Sequence, residues 1–147
     1  MAEIKPGTRV VAEGPFGVFT DAFRTREKVL LVAGGIGITP IRALIEEMEG
    51  DVIVLYRVVS AEDLVFAGEL DRLAAERDLT LHYVVGDHTT PEGRELLSPA
   101  HLRELVPDVV DREVYLCGPI AMIDPLQSEL RRAGVSRKHL HVERFAL

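Results

Sequence analysis

Three short motifs carry residue types that could do chemistry. They are Gly34-Gly35-Ile36-Gly37-Ile38-Thr39-Pro40, Cys117-Gly118-Pro119 and Glu143-Arg144-Phe145. In the first, Gly34, Gly35 and Gly37 allow a tight turn and a close approach of backbone to ligand. Where such a turn opens a helix, free N–H groups and the partial positive charge of the helix end suit a pyrophosphate. Ile38, Thr39 and Pro40 complete the turn, with the Thr39 hydroxyl as one more donor. The competing reading is a plain tight turn; the strand–turn–helix context favours dinucleotide binding. The spacing differs from G-x-G-x-x-G, because the third glycine falls at Pro40. Tyr56-Arg57 stands where an acidic residue would grip the ribose, which disfavours an ordinary NAD dehydrogenase.

The elements around these motifs follow from the pattern. Val29-Leu30-Leu31-Val32-Ala33 is a continuous apolar run, as expected of a strand buried on both faces. A helix follows from about Pro40 to Met48, with Thr39 as its cap and Gly50 as its stop. Val52–Tyr56 is the next strand. Ser60-Ala61-Glu62-Asp63 reads as a capping box opening a helix to about Arg77. Leu79–Val85 is a third strand and 86–93 a loop. Ser98-Pro99 starts a helix to about Leu105, and Val114–Cys117 is a fourth strand. Pro119 opens a helix ending before Gly134, and Leu140–Glu143 is the last strand. Alternating strands and helices predict an α/β fold, a doubly wound, five-stranded parallel sheet flanked by helices. Ligands of such sheets bind at the carboxyl ends of the strands, at the switch point. All three motifs fall at predicted carboxyl ends.

The bulk properties narrow the function. The chain has 147 residues, one domain's worth, and a net charge of −7 that argues against nucleic acid and anionic membranes. Its single cysteine, Cys117, can form no internal disulfide, and no Cys/His spacing suggests a metal site. A cytoplasmic setting is expected. The N-terminus has no signal-peptide pattern, and the apolar stretch at 29–41 is too short and glycine-broken to span a bilayer. His82, His88, His101, His139 and His141 are scattered; His139 and His141 could share one strand face without a third ligand.

Gly14-Pro15-Phe16-Gly17 followed by the three motifs, in this order, resembles the ferredoxin–NADP reductase superfamily over nearly the whole chain. Within it, the Glu143-x-Phe145 ending is most similar to reductase domains of ferric-reductase-like and NADPH-oxidase-like flavocytochromes. The resemblance implies a nucleotide domain that binds NADH or NADPH and passes hydride to FAD held by an adjacent β-barrel domain. On it, residues 21–147 are the NAD(P)-binding α/β domain, and residues 1–20 are the end of the barrel and its linker. The barrel's flavin motif has no counterpart here, so the chain alone is expected to bind little flavin. Gly35, Gly37 and Thr39 match the pyrophosphate loop. Cys117 matches the cysteine beside nicotinamide and flavin, with Gly118 and Pro119 following it. Glu143 matches a carboxylate that positions nicotinamide or relays a proton, and Phe145 the ring that covers the flavin. For each of these last three a structural role competes: a buried strand-end thiol, a solvated charge and a terminal core anchor.

NADPH-specific members of the family it resembles often carry Ser-Arg after the third strand, where this chain has Gly86-Asp87. A carboxylate at Asp87 would repel the 2′-phosphate and favours NADH. Arg57 points the other way, since it could reach that phosphate or stack on adenine. The balance leans to NADH. The acceptor beyond the flavin could be a heme or ferredoxin, with a membrane flavocytochrome's cytosolic side as one setting. Two alternatives are a non-catalytic nucleotide-binding regulatory module and an electron-transfer subunit like that of dihydroorotate dehydrogenase. An apolar patch near Val10, Phe16 and Phe19 predicts weak self-association.

Overall fold

In the computed structural model, Val29–Gly34, Val52–Val58, Thr80–Val85, Glu113–Pro119 and Leu140–Phe145 form strands β1 to β5. The structure describes residues 7–9, 11, 19–87 and 89–145. Val10, the Gly14–Gly17 motif and His88 lie outside these, and so does most of the expected apolar patch. Phe19, the described member of that patch, is packed against the core with its ring edge-on to Tyr115 at 5.4 Å. It is half-buried there.

All five strands are parallel, in the order β3-β2-β1-β4-β5. The order reverses between β1 and β4, which makes their carboxyl ends the switch point. β1 and β2 are buried at every position, as continuous apolar runs require of central parallel strands. Helices α1 (Ile38–Glu47) and α2 (Ala67–Arg77) cover one face. There Ile41, Leu44, Ile45, Leu70 and Leu73 meet Leu31, Val54, Tyr56, Tyr115 and Cys117. After the short α3 (Pro91–Glu95), helices α4 (Pro99–Leu105) and α5 (Ile120–Arg132) cover the other. Leu102, Ile123, Leu126 and Leu130 pack there on Leu30, Val32, Leu55, Val114 and Leu116. Among the described residues, no helix is long and apolar enough to cross a membrane.

Two expectations about helix starts are corrected. The capping box exists, with Ser60 N–H donating to Asp63 Oδ2 at 3.0 Å, but it caps only a 3-10 turn at Ala61–Asp63. The chain then turns through Phe66 at φ +62°, and α2 begins at Ala67. Leu64 still packs on the core, but from outside the helix. Likewise α1 starts at Ile38, continuing from a 3-10 turn at Gly35–Gly37, so Thr39 lies inside the helix and caps nothing.

The N-terminal edge of the sheet is held by charge. Arg112, 3% exposed, donates to both carboxylate oxygens of Asp51, to both of Asp108 and to the carbonyl of Val29. This ties the starts of β1, β2 and β4 together.

Candidate functional site

The glycine turn sits directly on β4. A Cβ at Gly37 would lie 2.1 Å from the Cys117 carbonyl oxygen and 2.5 Å from its carbon. Gly118 is as tightly placed, since a Cβ there would come within 3.1 Å of Gly34 Cα and 3.0 Å of Met122 Cε. The Met122 thioether closes this junction from below, against Gly34. So the glycines of the first two motifs serve each other: they let the ends of β1 and β4 meet.

Gly35 differs. It holds φ +51°, and among the described residues nothing lies within 4 Å of where its Cβ would be. Open space above a left-handed glycine leaves room for a ligand against the backbone. The exposed Thr39 hydroxyl lies on the first turn of α1 beside it. Ile38 is corrected in one respect. Its side chain is fully buried in the core and its N–H bonds back to the carbonyls of Gly35 and Ile36.

The register carries the third motif to the same edge. Ala33 pairs with Cys117 and Cys117 with Glu143, while Gly118 faces Arg144 and Pro119 faces Phe145. The Cys117 side chain is fully buried. Burial, with the nearby Glu143 carboxylate, pushes its thiol up to about 12. At neutral pH it is a neutral, polarizable packing group and not a nucleophile. Glu143 is exposed, and Phe145 is half-buried against the Tyr115 side of the core. Arg144 turns away, pairing with Asp124 at 2.8 Å and with Gln127.

Arg57 is not a surface arginine. It is 9% exposed, and burial lowers its pKa. Its guanidinium donates to the carbonyls of Val58 (2.6 Å), Val84 (3.2 Å), Gly86 (2.5 Å) and Gly93 (3.4 Å). It thus stitches the ends of β2 and β3 to the following loop. That loop is closed on itself. Asp87 Oδ1 accepts from the Thr89 N–H at 2.8 Å, and the Asp87 carbonyl accepts from the Thr90 N–H and hydroxyl. A Cβ at Gly93 would strike the Asp87 carbonyl oxygen at 1.7 Å.

One cluster was not visible in the sequence as a unit. Glu113, fully buried at the start of β4, accepts from His141 Nε2 at 2.7 Å through Oε1. Its Oε2 accepts from His139 Nδ1 at 3.1 Å and from the Thr25 hydroxyl and N–H at 3.2 and 3.3 Å. Burial alone would push the Glu113 carboxyl up, but these donors outweigh it and hold it below the usual range. The only signal in the sequence is the alternation of His139 and His141 ahead of Glu143.

The sequence matches the family model described as the oxidoreductase NAD-binding domain over residues 31–128. The glycine betaine monooxygenase reductase subunit of Pseudomonas aeruginosa is 27% identical over 152 residues, covering 97% of this chain and 42% of that protein. The NADH oxidoreductase HCR of Escherichia coli is 32% identical over 144 residues, covering 92% and 42%. In structure, the FAD/NAD-binding domain of a nitric oxide dioxygenase from Vibrio cholerae superposes with a TM-score of 0.70 at 27% identity, covering 91% of this chain and 55% of that one. The chain spans about two-fifths of the length of these two curated relatives.

Proposed function

The chain belongs to the oxidoreductase NAD-binding domain family, and on that premise we propose that it seats NADH or NADPH where β1, β4 and β5 end. There it presents the nicotinamide to FAD held by an adjacent barrel domain. The observation that carries this reading is the convergence of three motifs on one edge, with Gly37 pressed onto Cys117 and open space above Gly35. The nicotinamide supplies a hydride and the flavin accepts it; the protein's part is placement.

Each residue then has a defined task. Gly35, Gly37 and Thr39 receive the pyrophosphate at the start of α1. Gly34, Gly118 and Pro119 shape the junction beneath it, and Pro40 lets α1 start without a lost bond. Cys117 packs beneath the nicotinamide edge as a buried neutral thiol. Glu143 offers a carboxylate to the carboxamide or to a proton in transit, and Phe145 supplies the ring at the flavin side. Residues 21–147 form the nucleotide unit in this reading, and residues 1–20 the end of the barrel. The acceptor beyond the flavin is a ferredoxin or heme component, and the setting is cytoplasmic.

Asp87 favours NADH over NADPH, because its carboxylate opposes a 2′-phosphate while the Arg57 donors are engaged by backbone carbonyls. The test is calorimetric titration of this chain with NADH and NADPH in parallel. Saturable binding with NADH the tighter ligand is expected. Absence of binding by both, persisting after the flavin domain is supplied, overturns the reading.

A further inference from the structure

Among the described residues, β5 is an edge strand of six residues with a single neighbour, β4. Glu143 and Phe145 lie on one face of it together with His141, opposite Cys117, Pro119 and Tyr115. Slipping β5 by one residue would carry all three side chains to the other face. A short edge strand therefore needs something that fixes its register.

We propose that Glu113 and His141 are positioning residues which lock β5 against β4, and through it place Glu143 and Phe145 at the nicotinamide edge. The inference rests on the reading above for the roles of those two residues. Glu113 is fully buried, so its charge is tolerable only while its donors are in place. An ionised carboxylate only accepts, which fixes the protons on His141 Nε2 and His139 Nδ1. His141 is held twice: by the 2.7 Å bond to Glu113 and by stacking on Tyr115 at 4.4 Å and 16°. Any slip of β5 breaks both and takes from the buried Glu113 Oε1 its donor. Glu113 lies four residues before Cys117, about 13 Å along the strand, and His141 two residues before Glu143, about 7 Å, at roughly 3.3 Å per residue.

The same two residues of β4 hold the incoming segment. Thr25 gives both its N–H and its hydroxyl to Glu113, and the Tyr115 hydroxyl donates to the Thr20 carbonyl at 3.1 Å. Phe19 meets the Tyr115 ring edge-on. The segment at 19–25 and the strand carrying Glu143 and Phe145 thus share one buried carboxylate and one aromatic ring. A shift of one is felt by the other.

The experiment compares amide NMR spectra and NADH titrations of this full chain with those of Glu113→Gln and His141→Phe. The second variant keeps the ring on Tyr115 and removes only the donor, so it serves if the first does not fold. Leu140→Ala, on the opposite face of β5, is the control for general loss of packing. Both test variants should shift the amides of Cys117, Glu143 and Phe145 together with that of Thr20, speed hydrogen exchange across 141–145 by about tenfold or more, and weaken NADH. Leu140→Ala should lower the melting temperature and leave the 143–145 amides in place. Changes confined to residues 25, 113, 139 and 141 overturn the lock. Shifted 143–145 amides with unchanged NADH affinity uphold the lock and overturn the placement of Glu143 and Phe145 in the nicotinamide site.

Discussion

Gly37 rests on the peptide of Cys117 so closely that a methyl group would sit 2.1 Å from its carbonyl oxygen. The obstructing atoms are backbone of a central strand and cannot swing aside. Gly37→Ala should therefore part the ends of β1 and β4, costing about 3 kcal/mol or more, and abolish nucleotide binding. Gly35→Ala meets no neighbour among the described residues and suffers its φ of +51°, a penalty of roughly 1–2 kcal/mol. Urea denaturation of both variants checks the ranking. Equal stabilities would mean that the close approach is not maintained in solution.

Acid should unfold the protein through two carboxylates at the N-terminal edge of the sheet. Bonds from Arg112 first, then Lys28, hold Asp108 at about 2, below its ordinary 3.8. The Glu113 carboxyl is likewise lowered from 4.5. Folded values below unfolded ones mean stability that is complete above about pH 4.5 and is lost as pH falls through the folded values. Thermal melting from pH 6 down to pH 2 should show this fall. Asp108→Asn and Glu113→Gln should each start less stable at pH 6 and flatten the curve. A stability that rises on acidification would refute the assignment.

The sheet was legible because central parallel strands are buried on both faces, so Val29–Ala33 and Val52–Tyr56 read as unbroken apolar runs. Turn chemistry placed α4 and α5 well: Ser98 accepts from the His101 N–H, and Gly134 follows α5 at φ +106°. The start of α2 differs because the capping box at Ser60 closes only a 3-10 turn, and Leu64, half a turn out of phase with Leu73, reaches the core from the irregular stretch before Phe66. The buried Arg57, Arg112 and Glu113 could not be found this way. Their partners stand up to 88 residues away, and each sits at a strand end where an exposed charge is the ordinary outcome. Within the candidate site, motif position was readable from strand ends. That Gly37 spaces β1 from β4 while Gly35 opens outward needed the backbone geometry itself.

Cys117 should resist thiol reagents in the native state. Burial and the Glu143 carboxylate push it up to about 12 from 9.0, so almost no thiolate exists at pH 8, and the sulfur is covered. Labelling with a disulfide reagent should be negligible in buffer and complete in denaturant. The shift has a further consequence. The unfolded thiol ionises near 9 while the folded one does not, so its contribution to stability is full below pH 9 and is lost as pH rises toward 12. Rapid native labelling would show that β4 opens at its carboxyl end.

The choice between NADH and NADPH should follow Asp87 and not Arg57. Asp87→Asn keeps the Oδ1 acceptor for the Thr89 N–H and removes only the charge, so it should raise NADPH affinity toward parity with NADH. A tenfold preference corresponds to about 1.4 kcal/mol, within the reach of one carboxylate near a phosphate. Arg57→Gln should behave differently. It strands the carbonyls of Val58, Val84 and Gly86 in or near the interior, so it should cost stability, on the order of 1–3 kcal/mol. The ratio of the two affinities should stay as it was. If Arg57→Gln instead lowers NADPH affinity selectively while the protein remains folded, the guanidinium leaves its carbonyls for the 2′-phosphate when the cofactor arrives, and the loop at 86–93 is the element that opens to let it.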